Sequence, residues 1–270
     1  MARKPLYFLV GVGRSGTTLF QRLMDAHPRL GLTDEAGVQD LLFFFTQIAR
    51  IPAWQPMTVN RGTKVELHGY VHPSLTDEIA SMVTVHAIDM LYEFYERRFE
   101  GRDVEYFGDK LPDPEAVVTM NSVLDGLRAA LLVRDPRDVL CSMRSFGSRD
   151  NIRKGNRFFV DNSAEQFATH WNNLYAGFPE LVEGTRIVRY EDMIQRPIEE
   201  ASDTFRWLGL DPADADQQLQ RERAEFSAHG TSASSEQSVE RWRRDLSDED
   251  LASIEATCGE TMRRYGYETA

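Results

Sequence analysis

Cysteine, excess positive charge and long apolar runs are all scarce in this sequence of 270 residues. The two cysteines, Cys141 and Cys258, lie far apart and form neither a CxxC pair nor a disulfide framework, which favours a reducing, cytoplasmic setting. Acidic residues outnumber basic ones by 43 to 31, so general binding to nucleic acid, which needs a basic face, is not expected. No stretch approaches the length of a membrane span, and the apolar run Leu6–Val10 is too short for a signal-peptide core.

The apolar residues that are present, 41% of the total, suffice for one sizeable core, and we expect a single domain over residues 1–270. Short apolar segments alternate with amphipathic ones along the chain. The predicted strands are Leu6–Val10, Val104–Gly108, Ala129–Val133 and Arg186–Tyr190. The main predicted helices are Thr18–Ala26, Asp40–Arg50, Asp77–Phe99, Pro114–Leu124, Pro136–Phe146, Ala164–Phe178 and the segments at about 198–208, 214–224 and 248–264. This alternation predicts an α/β fold of three layers, with helices on both faces of a central parallel sheet.

The segment Gly11–Thr18 follows the first predicted strand and opens the first helix. Its glycines match the phosphate-binding pattern GxxxxGK[ST], in which backbone N–H groups and a helix N-terminus hold an anion. Thr18 supplies the final hydroxyl, but Thr17 stands where the lysine of nucleotide triphosphatases reaches the β- and γ-phosphates. The only cation inside the loop is Arg14. The segment therefore predicts a phosphate site in a protein that is a poor candidate for an ATPase.

A second strand, turn and helix carries Arg134 at the end of its strand and Ser142 on the helix that Pro136 opens. An arginine and a hydroxyl that converge there would suit a second phosphate. The alternative interpretation is an arginine paired with a nearby carboxylate, which Asp135 or Asp138 could supply.

Together these segments resemble the sulfotransferases that use 3′-phosphoadenosine 5′-phosphosulfate (PAPS) and have a fold like that of the P-loop nucleotide triphosphatases. Gly13–Thr18 is similar to the family's 5′-phosphosulfate loop, and the segment from Arg134 to Ser142, about 120 residues later, is similar to its 3′-phosphate motif. The resemblance assigns the nucleotide to the following residues: Arg14, Ser15, Gly16, Thr17, Thr18, Arg134, Ser142, Tyr190 and Arg241. Ser234 and Ser235, in the Ser-rich loop before Arg241, are weaker candidates.

The closest local likeness is to bacterial members near the tyrosylprotein-sulfotransferase branch, through the segments 14–28 and 189–192. Glu35 falls where that branch has its catalytic glutamate, and Lys110 lies in a segment similar to the family's lysine-containing strand end. Gly37 stands where that branch has a substrate-reading arginine, which argues against an acidic peptide as acceptor.

The resemblance implies in-line transfer of a sulfuryl group to a hydroxyl or amine of a small molecule or peptide. Arg14 and Lys110 would stabilise the leaving phosphate and Glu35 would take the acceptor proton, with Asp34 and His27 as alternative bases. No metal would be required, because the two cations replace it. Structural interpretations stay open, namely a helix-start carboxylate for Glu35, a solvated lysine for Lys110, core packing for Tyr190 and a charged helix face for Arg241.

Two other functions stay open as well: an ATP-dependent kinase of small molecules, and a regulator that binds a nucleotide without catalysis. The segments 36–76 and 147–165 are the expected acceptor-side loops or lid. His68 and His72 have an HxxxH spacing, but Gly69 and Pro73 argue against the helix that a zinc site of this kind needs. The sequence leaves the acceptor and the oligomeric state undetermined, with a homodimer among the options.

Overall fold

The computed structural model describes residues 3–37, 57–59, 63–65, 76–111, 114–122, 124, 126–147, 163–225 and 236–269. The predicted helix Asp40–Arg50, most of the two expected acceptor-side segments, the histidine pair at 68 and 72, and Ser234 and Ser235 lie outside the described residues.

Seven strands are described. Their bounds are Leu6–Val10 for β1, Leu30–Asp34 for β2, Met57–Val59 for β3, Thr63–Val65 for β4, Tyr106–Leu111 for β5, Arg128–Val133 for β6 and Arg186–Arg189 for β7. Five of them form a parallel sheet in the order β2-β5-β1-β6-β7, and β3 and β4 pair with each other in an antiparallel hairpin. The central position of β1 places the segment that follows it in the middle of the sheet's carboxyl edge, where parallel α/β sheets bind ligands.

The described α-helices are α1 (Thr17–Met24), α2 (Thr76–Arg98), α3 (Pro114–Asn121), α4 (Pro136–Gly147), α5 (Ala164–Tyr175), α6 (Phe178–Leu181), α7 (Tyr190–Gln195), α8 (Pro197–Leu208), α9 (Asp216–Glu225), α10 (Trp242–Asp245) and α11 (Asp248–Arg264). They cover both faces of the sheet. Alternate residues of β1 therefore enter different cores: Phe8 packs with residues of α2, α5 and α11, whereas Leu9 packs with residues of α1 and α8. Every residue of β1 is buried, as expected for a strand covered on both faces. The predicted three-layer α/β/α fold is confirmed.

Strand β5 differs from its prediction. The sequence predicts a strand over Val104–Gly108, but β5 runs from Tyr106 to Leu111 and pairs with both β1 and β2. Asp109 and Lys110 consequently lie inside a strand and are buried. Because β5 pairs with a strand on each side, it continues through Asp109 and Lys110, which the prediction places after the end of the strand.

Strand β2 is absent from the prediction because Gly31 interrupts a short apolar run. In the structure this glycine is a packing requirement, since a Cβ atom at position 31 would lie 2.8 Å from the ring of Phe99. A second difference concerns the helix predicted over Ala164–Phe178. The observed helix α5 ends at Tyr175, and the single turn α6 begins separately at Phe178.

Candidate active site at the carboxyl edge of the sheet

The loop between β1 and α1 depends on two residues with left-handed backbone. Arg14 has φ 72° and Gly16 has φ 103°. A Cβ atom at Gly16 would lie 2.4 Å from the ring of Tyr190, so this position needs glycine both for its backbone angle and for space. Ser15 and Thr17 are buried on either side of Gly16. The loop is thus a closed, tightly packed turn that leads into the N-terminus of α1.

Tyr175 on α5 fastens this loop to the next strand. Its hydroxyl accepts a hydrogen bond from the N–H of Val12 at 3.0 Å and donates one to the carbonyl of Leu132 at 3.0 Å. Burial raises the pKa of Tyr175, so the phenol stays protonated and keeps its donor. Nothing in the sequence pattern marks Tyr175, because its role depends on the packing of α5 against the sheet.

Arg134, directly after β6, joins three segments that are far apart in the sequence. Its guanidinium donates to the carbonyl of Arg14 at 2.9 Å and to the carbonyl of Ser238 at 2.7 Å. It also lies 4.2 Å from the centre of the Tyr190 ring, which stacks against it. The Tyr190 hydroxyl is 2.7 Å from Oγ of Ser238. Arg134 and Tyr190, both predicted site residues, are therefore brought together beside the loop.

Arg14 and Ser142 also meet, as the two predicted anion motifs require. Nε of Arg14 donates to Oγ of Ser142 at 3.3 Å, and its guanidinium lies 4.4 Å from the centre of the Phe146 ring on the same helix. The side chain of Arg14 therefore lies on the Ser142 side of the loop. The cation on the other side, next to Thr18, is Lys110.

Lys110 is the centre of a charged cluster where β5 and β2 end. Its side chain is only 5% exposed, and its Nζ donates to Oγ1 of Thr18 at 3.1 Å. The same atom lies 2.6 Å from Asp34 Oδ1 and 2.8 Å from Glu35 Oε1. Burial lowers the pKa of Lys110, but the two carboxylates outweigh it and hold that pKa above its usual value. The interpretation of Lys110 as a solvated lysine is wrong, and the lysine is a fixed cation beside the loop.

His27, one of the two alternative bases, lies in another environment. It is fully buried, its Nδ1 accepts the N–H of Arg29 at 3.2 Å, and its Nε2 lies 3.1 Å from the carbonyl of Asp211. Since Nδ1 is an acceptor, Nε2 carries the proton, and burial lowers the pKa of the ring. The suggestion of His27 as a general base is wrong, because both nitrogens are occupied by these hydrogen bonds and the ring packs against Phe205.

Comparison with known proteins agrees with this geometry. The profile described as "Sulfotransferase family" matches residues 5–216, which is most of the chain. The chain belongs to the sulfotransferase family. Mouse carbohydrate sulfotransferase 3 is 27% identical over 187 residues, covering 63% of this chain and 38% of the mouse protein. Protein-tyrosine sulfotransferase 1 of Danio rerio is 27% identical over 220 residues, covering 78% of this chain and 55% of the fish protein. The chain thus spans well under two thirds of either relative.

Solved sulfotransferase structures share the fold of this family member. The sulfotransferase domain of the Synechococcus PCC 7002 olefin synthase aligns with a TM-score of 0.59 at 17% identity, covering 100% of this chain and 98% of that domain. A mouse sulfotransferase complexed with PAP aligns with a TM-score of 0.51 at 14% identity, covering 97% and 86%.

In this member of the sulfotransferase family, the turn after β6 is held by Glu191 of the motif at 189–192. Its Oε1 accepts the N–H of Asp135 at 3.1 Å, and its Oε2 accepts the hydroxyl of Tyr267 at 3.0 Å. Burial raises the pKa of Glu191. The motif therefore serves the site twice, because Tyr190 stacks on Arg134 and Glu191 fixes the backbone that follows Arg134.

Residues 236–246, here called the strap, contact α4 from Arg137 to Ser145. The carboxylate of Asp138 accepts the N–H of Glu240 at 2.8 Å and that of Trp242 at 3.0 Å. The ring of Trp242 lies 3.9 Å from the guanidinium of Arg137. Arg241, a predicted nucleotide contact, donates to Oγ of Ser145 at 2.8 Å and pairs with Asp245 at 2.8 Å. The strap is thereby fastened to the helix that carries Ser142.

A cleft of about 600 Å³ opens on the Lys110 side of the loop. It shares Thr18 and Asp34 with the lysine cluster and continues to Phe94 and Arg98 of α2. Among the described residues no group of three or more His, Cys, Asp or Glu could hold a metal ion. In the same part of the chain, no helix combines the length and apolar character needed to cross a membrane.

Proposed function

We propose that this chain is an enzyme that transfers the sulfuryl group of PAPS to a hydroxyl or amine of a small-molecule or peptide acceptor, in line and without a metal. The observation that carries the proposal is the contact of Lys110 Nζ with both Thr18 of the phosphate loop and the Glu35 carboxylate. A cation and a base within one cluster at the mouth of such a loop are the groups that sulfuryl transfer needs.

The residues present suit the donor nucleotide. The turn at Gly16 has no room for a side chain, and backbone N–H groups at a helix N-terminus suit the 5′-phosphosulfate. Arg134 and Ser142 would bind the 3′-phosphate, and the buried Nε of Arg134 has no hydrogen-bond acceptor among the residues that the structure describes. The PAP bound to the mouse relative supports the same assignment. Tyr190 and, through the strap, Arg241 would border the nucleotide.

In the reaction, the acceptor oxygen attacks sulfur while the bond from sulfur to the 5′-phosphate oxygen breaks. The acceptor proton passes to Glu35, and the bonding electrons leave on the phosphate oxygen, where negative charge develops. Lys110 stabilises that charge, with Thr18 as a neighbouring hydroxyl donor and Arg14 as a second cation. Asp34, which contacts the same Nζ, is the alternative base.

The acceptor is proposed to enter through the cleft that begins at Thr18 and Asp34. The names of the relatives indicate a carbohydrate for one and a protein tyrosine for another. Both offer hydroxyl groups, so we propose a hydroxyl-bearing acceptor as the common class.

Thermal denaturation tests the donor. PAP without metal should raise the melting temperature, because a ligand at 100 times its Kd stabilises the native state by about 2.7 kcal/mol. ATP with Mg²⁺ should raise it far less, since Thr17 replaces the lysine that would reach the outer phosphates. Stabilisation by ATP with Mg²⁺ alone would contradict the proposal and favour a kinase.

Turnover tests the chemistry. We expect Lys110→Ala and Arg14→Ala each to reduce PAP release from PAPS, in the presence of a panel of phenol, sugar and amine acceptors, by about 10²-fold or more. Arg97→Ala, which removes an exposed arginine paired with Glu93, is the matched control and should keep wild-type turnover. Equal turnover in the wild type and in both site variants would overturn the mechanism.

A further inference from the structure

Asp109 is a fully buried carboxylate directly before Lys110 on β5. Its Oδ1 accepts the N–H of Lys110 at 2.9 Å, and its Oδ2 accepts the N–H of Ala36 at 3.0 Å. The second bond crosses from β5 to the segment that leaves β2. A single carboxylate therefore ties the backbone of the catalytic lysine to the backbone just after Glu35.

The segment that it holds has an unfavourable backbone conformation. Glu35 has φ 51°, and only Arg14 and Glu240 share a positive φ among the non-glycine residues that the structure describes. A residue with a side chain pays about 1 kcal/mol or more for this conformation, so surrounding contacts must maintain it. Asp34, Glu35 and Ala36 are all exposed, and the turn receives little support from packing against the residues that the structure describes.

Burying the carboxylate of Asp109 costs desolvation free energy, which a purely structural role would not require. Burial raises the pKa of this carboxyl to about 6, although hydrogen bonds from Thr33 and from backbone N–H groups favour the ionised form. A neutral side chain could fill the space with a smaller desolvation penalty. The feature that the carboxylate adds is a pair of acceptors aimed at two separate backbone donors.

We propose that Asp109 is a positioning residue, which holds the turn after β2 in its left-handed conformation and so sets the Glu35 carboxylate against Nζ of Lys110. Because side chains alternate across a strand, Asp109 reaches the turn from one face of the sheet while Lys110 meets Glu35 on the other. Two consecutive residues thus fix the cation and the base relative to each other. This inference rests on the proposed roles of Glu35 and Lys110.

A double-mutant cycle tests the proposal, with Asp109→Asn and Glu35→Gln measured singly and together. The asparagine keeps the volume but replaces one acceptor with a donor, which opposes the N–H of Ala36 or of Lys110. We expect Asp109→Asn to reduce kcat about tenfold while the KM for PAPS changes less than about twofold, and to have no further effect in the Glu35→Gln background. The same factor in both backgrounds would overturn the proposal, because Asp109 would then act independently of Glu35.

Amide hydrogen exchange provides a readout that does not depend on turnover. Exchange at Ala36 should become at least about tenfold faster in Asp109→Asn, while exchange in the centre of β1 should be unchanged. Unchanged exchange at Ala36 would also overturn the proposal. If Asp109→Asn does not fold, Asp109→Ser removes the same bond with a smaller side chain and is measured in the same way.

The outcomes separate the two proposals. Full activity of Glu35→Gln would contradict the proposed base, whatever happens at Asp109. Loss of activity in Glu35→Gln, with an unaltered kcat in Asp109→Asn, would contradict only the positioning role.

Discussion

Gly16 illustrates how far the phosphate loop depends on single residues. Its backbone angle is one that side-chain-bearing residues rarely adopt, and the ring of Tyr190 occupies the space where a Cβ atom would lie. Tyr190 in turn stacks on Arg134. A side chain at residue 16 would therefore displace the ring that contacts the second anion motif. A glycine that the sequence marks as part of a loose pattern is thus a contact point between two motifs.

Gly16→Ala should therefore destabilise the protein by more than the backbone angle alone explains. The matched control is Gly184→Ala, because Gly184 also has a positive φ of 71° but has nothing within 4 Å of its Cβ position. We expect about 1 kcal/mol of destabilisation for Gly184→Ala and about 2 kcal/mol more for Gly16→Ala, measured by chemical denaturation. Equal losses would mean that the ring of Tyr190 moves aside without cost.

At the same scale, the sequence indicates candidate site residues but not the residues that surround them. Arg14 and Arg134 are recognisable because they lie between a strand and the helix that follows it, and Ser142 because it lies on the helix that follows Arg134. The resemblance puts Glu35 first as the base, with Asp34 and His27 as alternatives. Only the fold shows that Glu35 and Asp34 contact Lys110 while His27 is buried elsewhere. Asp109 was passed over because no short motif requires an acidic residue before the lysine.

At the scale of elements, the boundaries that local pattern gave best were those of helices and strands with strong apolar periodicity. The helix predicted at about 248–264 is observed at Asp248–Arg264, and the buried run Ala129–Val133 lies within β6. Strand β2 was missed, because Gly31 is explained only by the Phe99 ring that packs against it. Missing β2 matters for the candidate site, because this strand ends at Asp34 and places Asp34 and Glu35 beside Lys110.

The strap is an element whose position depends on one side chain, Asp138. Its carboxylate accepts two backbone donors of the strap, and the strap brings Ser238 to Arg134. We expect Asp138→Asn to speed amide exchange at Glu240 and Trp242 and to weaken PAP binding by about tenfold, because the amide can accept only one of the two bonds without opposing the other.

The control for this variant is Asp250→Asn, which removes an ion pair with Arg144 on the same helix. Since Asp250 does not hold the strap, PAP affinity should stay within about twofold of the wild type. Calorimetric titration with PAP measures both variants. Equal affinity of Asp138→Asn and wild type would show that the strap closes without this carboxylate.

For the molecule as a whole, two buried carboxylates make stability depend on pH. Burial raises the pKa of Asp109 and of Asp138 to about 6 in the native state, above the unfolded value. Between about pH 4 and 6 these two carboxyls therefore hold protons in the native state that they have released in the unfolded state, so their contribution to stability falls as the pH rises through that range. His27 acts in the opposite direction, because burial lowers its pKa and an unfolded imidazole takes up a proton first.

The difference between variant and wild type isolates this effect. The melting temperature of Asp138→Asn, relative to wild type, should rise between about pH 5 and pH 7.5, because only the wild type then has to ionise a buried group. Asp250→Asn should show a constant difference over the same range, since the Arg144 guanidinium holds the pKa of Asp250 at about 2 and the group stays ionised throughout. A constant difference for Asp138→Asn would contradict the raised pKa.

The sequence also predicted properties of the whole chain. The three-layer fold and the family are established by the sheet and by the profile match. The single domain over 1–270, the cytoplasmic location and the homodimer stay predictions, because each depends on surfaces and surroundings rather than on the residues that form the site.

The contacts of Arg134 also have a consequence for the order of events during synthesis. The loop that contains Arg14 is synthesised before Arg134, and the other partner of Arg134, Ser238, is synthesised later still. A nascent chain that already has the loop, β1 and α1 therefore still lacks the Arg134 side chain, whose two hydrogen bonds join the loop to the strap. We therefore expect the proposed affinity for the nucleotide to emerge only after the segment that contains Ser238 has been synthesised and has packed on Arg134.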